Sequence, residues 1–107
     1  MSYSVIISQP FSRHFKKLKK KHKSIKADLL LLIDELEVTP TMGVSLGKDC
    51  YKVRLSIKSK GKGKSGGARV ITYVKIVDRN VHLLAIYDKS NRDSISTKEL
   101  EELISQI

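Results

Sequence analysis

Tryptophan is absent from the 107 residues and cysteine occurs once, at Cys50. A single thiol excludes an internal disulfide and leaves no thiolate set for structural zinc. Long apolar runs are missing too. The longest, Leu29 to Ile33, is far too short to span a bilayer. The opening MSYSVIISQP has neither the basic start nor the apolar stretch of a secretory signal. These absences lead us to expect a cytoplasmic protein of bacterial type, away from membranes. A chain of this length makes one domain, residues 1–107, with a modest core.

Acids are scarce as well: eleven Asp and Glu stand against twenty-one Lys and Arg, a formal charge of +10. The acids are scattered, and His14, His22 and His82 share no motif spacing. A two-metal nuclease needs converging carboxylates, so no metal or cofactor is expected. The excess of cations concentrates polyanions around the protein. Nucleic acid or the ribosome is the expected contact. An acidic protein partner is the alternative, and the two are compatible if that partner covers the nucleic-acid site.

The stretch from Cys50 to Asp88 organises the rest. CYKVRLSI and ARVITYVKIVDRNVHLLAIYD flank the loop KSKGKGKSGG, and β-branched and aromatic residues dominate both sides. With a turn at Asp78-Arg79-Asn80, this gives three strands in a meander. Period two puts Tyr51, Val53, Leu55 and Ile57 on one face of the first strand and Cys50, Lys52, Arg54, Ser56 and Lys58 on the other. Ala68 to Asp78 and His82 to Tyr87 are apolar on both sides.

Before this meander, Tyr3 to Ser8 reads as a strand and Pro10 suits the first turn of a helix. Phe11, Phe15, Leu18 and His22 line one face of that helix, with lysines outside. Ile25, Leu29, Leu32, Ile33 and Leu36 stripe a second helix, widened by Leu30 and Leu31, from a cap at Ser24 to Pro40. Thr39 to Asp49 reads as loop. Ser96 and Glu99 form a capping box, with Ile95 stapled to Leu100, for a last helix. The expected fold is α+β, in the order β-α-α-β-β-β-α. Its small antiparallel-rich sheet carries an N-terminal helical hairpin on one face and cations on the other.

Lys60 to Gly67 fails the phosphate-loop spacing and lies between strands rather than opening a helix. Lysines that touch a nucleic-acid backbone are the better expectation for it. Cys50 reads as structural, His22 as a helix-surface residue, and His82 as able to reach the sheet surface. The chemically coherent group is Lys52, Arg54, Arg69, Tyr87 and Lys89. RNA is cut without metal when its own 2′-OH attacks the adjacent phosphate, provided the oxygens are held in line and the phosphorane charge is neutralised. Guanidinium forks suit phosphate oxygens. Lysine stabilises charge or, among other cations, takes a proton. Tyrosine donates a hydrogen bond or stacks on a base. Ordinary surface cations beside a core tyrosine are the alternative.

DCYKVRL at 49–55, GGARVITYVKI at 66–76 and LLAIYDKS at 83–90, with the G-x-x-L turn at Gly43 to Leu46, resemble the RelE/ParE superfamily of bacterial toxin–antitoxin toxins. Within it the chain looks like the HigB- and RelE-type mRNA interferases. The resemblance implies a ribosome-dependent, metal-independent endoribonuclease that cleaves mRNA in the ribosomal A site. It also implies an acidic cognate antitoxin as partner and contacts to 16S rRNA. The family's Tyr-Lys-x-Lys/Arg-Leu pattern falls on Lys52 and Arg54, implying proton transfer and phosphate contact, and a transition-state clamp falls on Arg69. Ser90 stands where the best-known members carry an arginine, flanked by Lys89 and Arg92, and Ser96 where they carry a tyrosine. Tyr87 takes that role or stacks on a base. General acid and general base are left unassigned. Lys58, Lys60, Lys62, Lys64, Arg92, Lys16, Lys17 and Lys20 are the expected RNA contacts. A ParE-like gyrase inhibitor and a non-catalytic module that binds RNA or antitoxin are the competing functions.

Overall fold

In the computed structural model, residues 2–61, 66–92 and 94–107 are described. The elements run β1 (Ser4–Ile7), α1 (Gln9–Lys21), α2 (Ile25–Val38), β2 (Val44–Gly47), β3 (Cys50–Leu55), β4 (Ala68–Lys75), β5 (Asn80–Asp88) and α3 (Thr97–Ile104). A short 3-10 turn, Lys58–Lys60, follows β3. The sheet order is β1-β5-β4-β3-β2, with β1 parallel to β5 and the other pairs antiparallel. This is the expected α+β architecture with one strand added. Val44–Gly47, read as loop, pairs with β3 at the sheet edge. It is too short to show a period. Its entry needs Gly43, which sits at φ +98°, where a Cβ would fall 2.5 Å from the Lys52 carbonyl oxygen.

Helix α1 starts where Ser8 accepts a hydrogen bond from the Phe11 N–H, with Pro10 in the first turn. Lys19, Lys20 and Lys21 occupy the last turn, where cations complement the helix dipole. Phe11 and Leu18 from α1 and Ile25, Leu29, Leu32 and Leu36 from α2 pack on Val53, Leu55, Val70, Val74, Val81, Leu83 and Ile86. Each such side chain contributes roughly 1.5–3 kcal/mol by leaving water. Leu30 and Leu31 do not widen the stripe; both are more than half exposed. Among the described residues, no helix is long and apolar enough to cross a membrane.

The second face is not left wholly to cations. Leu100 and Leu103 of α3 cover Cys50, Ile71, Leu84 and Ala85 there, with Ile95 packed alongside. Two faces are served because β5 changes phase. Ile71 pairs with Ala85 but Thr72 with Leu83, so Leu84 is extra. This β-bulge turns Leu84 and Ala85 to the same side and places Tyr87 opposite Ile86 and Leu83.

Two buried carboxylates hold the start of the loop between β3 and β4. Asp28 accepts from the Ser24 hydroxyl (2.7 Å) and from the Lys58 N–H (3.1 Å), while the Ser59 N–H donates to Ser24 (2.8 Å). Ser24 therefore tethers the turn and makes no side-chain cap of its own helix. Asp88 does the same from β5. It accepts from Lys60 Nζ (2.8 Å), His22 Nε2 (3.1 Å), the Ser90 hydroxyl (2.7 Å) and the Ser90 N–H (2.9 Å). Burial alone would raise the Asp88 pKa. The hydrogen bonds from Lys60, Ser90 and His22 outweigh it and hold the carboxylate far below its usual range. His22, expected on the helix surface, is thus an interior ligand of a carboxylate.

Candidate nucleic-acid interface

Register builds the site. Arg54 of β3 lies opposite Arg69 of β4, and Arg69 lies opposite Tyr87 of β5. Alternation with buried Val53 and Leu55 puts Lys52 and Arg54 on the second face, where Ile71 and Tyr87 also lie. One row across three strands therefore reads Arg-Arg-Tyr, with Lys52 in the row beside it, opposite Ile71. Like charges directly opposite destabilise a sheet. Arg69 is only 3% exposed, with its Nη1 donating to the Ala68 carbonyl (3.1 Å). Arg54 and Arg69 are thus cross-strand neighbours, with Arg69 buried and Arg54 exposed.

Arg92 follows β5 and returns over the row. Its guanidinium carbon lies 4.4 Å from the Tyr87 ring centroid, a cation–π contact. Glu99 in the first turn of α3 grips it with two bonds of 2.9 and 3.0 Å. That fork is the geometry a phosphate would take. The hydrogen bonds raise the Arg92 pKa and, against burial, lower that of Glu99. Ser96 accepts the Glu99 N–H as expected for a capping box, but the Glu99 carboxylate is spent on Arg92.

The expected residues separate. Lys52, Arg54, Arg69, Tyr87 and Arg92 come together on one face. Lys89 lies just beyond β5, with its N–H donating to the Gly67 carbonyl (3.0 Å). Lys58 is exposed on the 3-10 turn, whereas Lys60 points inward to Asp88. Lys62 and Lys64 lie outside the described residues. On α1, Lys17 lines a groove beside Tyr87, Lys16 lines a different, apolar groove toward α2, and Lys20 lines neither. Cys50 is fully buried and its thiol pKa is pushed up to about 11 by burial, so it is inert. His82 is buried near Tyr73, with its pKa lowered by burial and then by Lys75. Among the described residues, no group of three or more His, Cys, Asp or Glu is placed to hold a metal ion.

Sequence reasoning missed Glu99 as the partner of Arg92, and His14 and Lys21 as neighbours of Tyr87. The spacing of His14, Lys17 and Lys21 was the available signal, because it sets them on one side of α1.

The five-stranded sheet with its N-terminal helices packed on one face is a RelE-like fold. The family model for the RelE toxin of the RelE/RelB toxin–antitoxin system matches residues 11–106, and the chain belongs to that family. It is similar in fold to an arginine double mutant of E. coli RelE in the free state, at 18% identity and TM-score 0.63, covering 100% of this chain and 99% of that one. Isolated E. coli RelE matches at 18% identity and TM-score 0.57, covering 98% and 99%. A chain of the intact E. coli RelBE toxin–antitoxin complex matches at 18% and 0.59, covering 80% and 95%.

Proposed function

We propose that this protein is a ribosome-dependent mRNA interferase. Its substrate is mRNA in the ribosomal A site. The 2′-oxygen attacks the neighbouring phosphorus as its proton leaves to a base. The 5′-oxygen departs and is protonated, leaving a 2′,3′-cyclic phosphate and a 5′-hydroxyl. The cross-strand row Arg54–Arg69–Tyr87 is the observation that carries this reading. Arg54 and Arg69 neutralise the phosphorane oxygens, with Arg69 fixed by burial and so already oriented. Lys52 and Lys89 supply further charge and proton transfer. Tyr87, its ring held by Arg92, stacks on a base or protonates the leaving oxygen.

The reading includes a cytoplasmic setting and an acidic antitoxin. Support for that partner comes from a groove of about 310 Å³ between α1 and α2. Phe11, Phe15, Leu29 and Leu30 give it an apolar floor, and Lys16, Lys19 and Lys26 rim it. An amphipathic acidic segment matches both properties.

The test is primer extension on a defined mRNA in a reconstituted translation reaction with wild type, Arg54→Ala and Arg69→Ala. Cuts at fixed codon positions, present only with ribosomes and reduced at least about 10²-fold in folded variants, are expected. An absence of cuts by folded wild type sinks the proposal. A gyrase supercoiling assay then decides for the ParE-like alternative.

A further inference from the structure

Strand β1 accompanies β5 only as far as the Ile7–Leu83 pair. Beyond it, α1 runs beside β5 and leaves an open groove of about 180 Å³ at the edge of the arginine row. His14, Lys17 and Lys21 wall it from α1, and Tyr87 and Asn91 from the other side. The volume equals that of about six waters, room for one flat heterocycle and the waters at its edge. Leu18 and Ile86 also line it, giving a ring somewhere apolar to lie. The Asp88 carboxylate borders the groove but is paired with the Lys60 ammonium at 2.8 Å and hydrogen-bonded by His22, so its repulsion of an anion is blunted.

His14 is half-buried, and its Nδ1 is buried with no hydrogen-bond partner among the described residues. An orphaned ring nitrogen in a groove between cations is a cost with no structural return. Burial first, then Arg13, Arg92 and Lys17, lower its pKa. The ring is therefore neutral at pH 7, a polar edge rather than a charge. Lys17 and Lys21, one turn apart, supply the charge at the mouth.

We propose that this groove is a subsite for one nucleotide of single-stranded RNA flanking the phosphate that is cut, with Lys17 and Lys21 on its phosphate and His14 and Asn91 against its base. The proposal rests on the RNA-cleaving reading. Tyr87 belongs both to the groove and to the row, so a strand laid over Arg54 and Arg69 passes into the groove without a break. It also divides the cations of α1 by side: Lys17 and Lys21 for RNA, Lys19 for the groove toward α2.

The test uses a trinucleotide blocked by 2′-O-methyl groups, titrated into isotope-labelled protein without ribosomes and followed by NMR. Wild type should show His14 ring shifts on binding, with His82 unmoved. Lys17→Ala/Lys21→Ala should bind roughly 10- to 30-fold more weakly at 0.1 M salt, with the log–log salt slope shallower by about 1.4. Lys19→Ala/Lys26→Ala removes the same charge from the other groove and should bind within about twofold of wild type. Equal losses in the two double variants would reduce the effect to a general field and overturn the subsite. Binding that moves sheet residues but not His14 would overturn it while leaving RNA recognition intact. No binding by folded wild type at millimolar trinucleotide would also overturn it, whereas the primer-extension result would stand independently.

Discussion

Replacing Asp88 by asparagine tests whether the carboxylate holds the loop root. Four donors converge on it, two of them from Lys60 and His22, whose side chains are only 12% and 14% exposed. Hydrogen bonds to a charged group contribute about 1.5–3 kcal/mol. Asparagine keeps one acceptor but loses the charge, so about 2 kcal/mol should go at pH 7. With a urea m-value of about 1.5 kcal/mol/M, the midpoint falls by about 1.3 M. The pH dependence has a definite sign. The folded pKa is depressed, so the contribution is full above the unfolded value of about 3.9 and is lost as pH falls toward the folded value. At pH 3 the gap between wild type and Asp88→Asn should therefore have narrowed by about 1.2 kcal/mol. Urea titrations at pH 7 and pH 3 measure both quantities. Adding Lys60→Met alone and in combination completes a cycle, in which a coupling of at least about 1 kcal/mol is expected. Unchanged midpoints at pH 7, or a gap that stays constant with pH, would refute the role given to Asp88.

Three further outcomes follow from the geometry. Cys50, with its thiol pKa raised to about 11, should resist iodoacetamide at pH 8 in the native protein and react fully in urea, as read by intact mass. Gly67→Ala would drive a Cβ into the Leu55 carbonyl oxygen and should cost about 1–3 kcal/mol, seen as a melting temperature lower by at least about 4 °C. Arg92→Ala removes the donors that depress Glu99. The Glu99 titration followed by NMR should move up into the ordinary carboxylate range, while stability changes by less than about 1.5 kcal/mol because the pair is partly exposed.

The helices were legible because each presents a one-sided stripe and a start signal, as at Ser8–Pro10 and Ser96–Glu99. The face of Lys52 and Arg54 was legible because β3 alternates cleanly. Three features were hidden for physical reasons. Strand β2 offers four residues and no buried side, so pattern cannot find it. The side served by α3 was hidden because an apolar stripe such as Leu100 and Leu103 shows that a helix packs but not which face of the sheet it covers. The interior placement of Lys60, His22 and Asp88 joins residues 28 and 66 positions apart in sequence. Composition at any one of them says surface; only the fold that brings them together says otherwise. Arg69 and Tyr87 were grouped by their chemistry and by the family resemblance, and that they lie opposite each other came only with the register of β4 and β5.

The bulge at Leu84 makes β5 two strands spliced out of phase. Residues 80–83 pair with β1 on one side and with residues 72–75 of β4 on the other, and residues 85–88 pair with residues 68–71 of β4. The carbonyl at the splice receives the Ser8 hydroxyl, so the same point also sets where α1 begins. Insertions and deletions should therefore be tolerated asymmetrically. Loss of Leu84 itself would restore regular pairing and leave Tyr87 beside Arg69, though it removes a buried side chain and the carbonyl that receives Ser8. Loss of Ile86, two positions later, would turn Tyr87 toward the helices and set the Asp88 carboxylate among the arginines. Two positions along one strand separate a length change that keeps Tyr87 in the arginine row from one that puts an acid in its place.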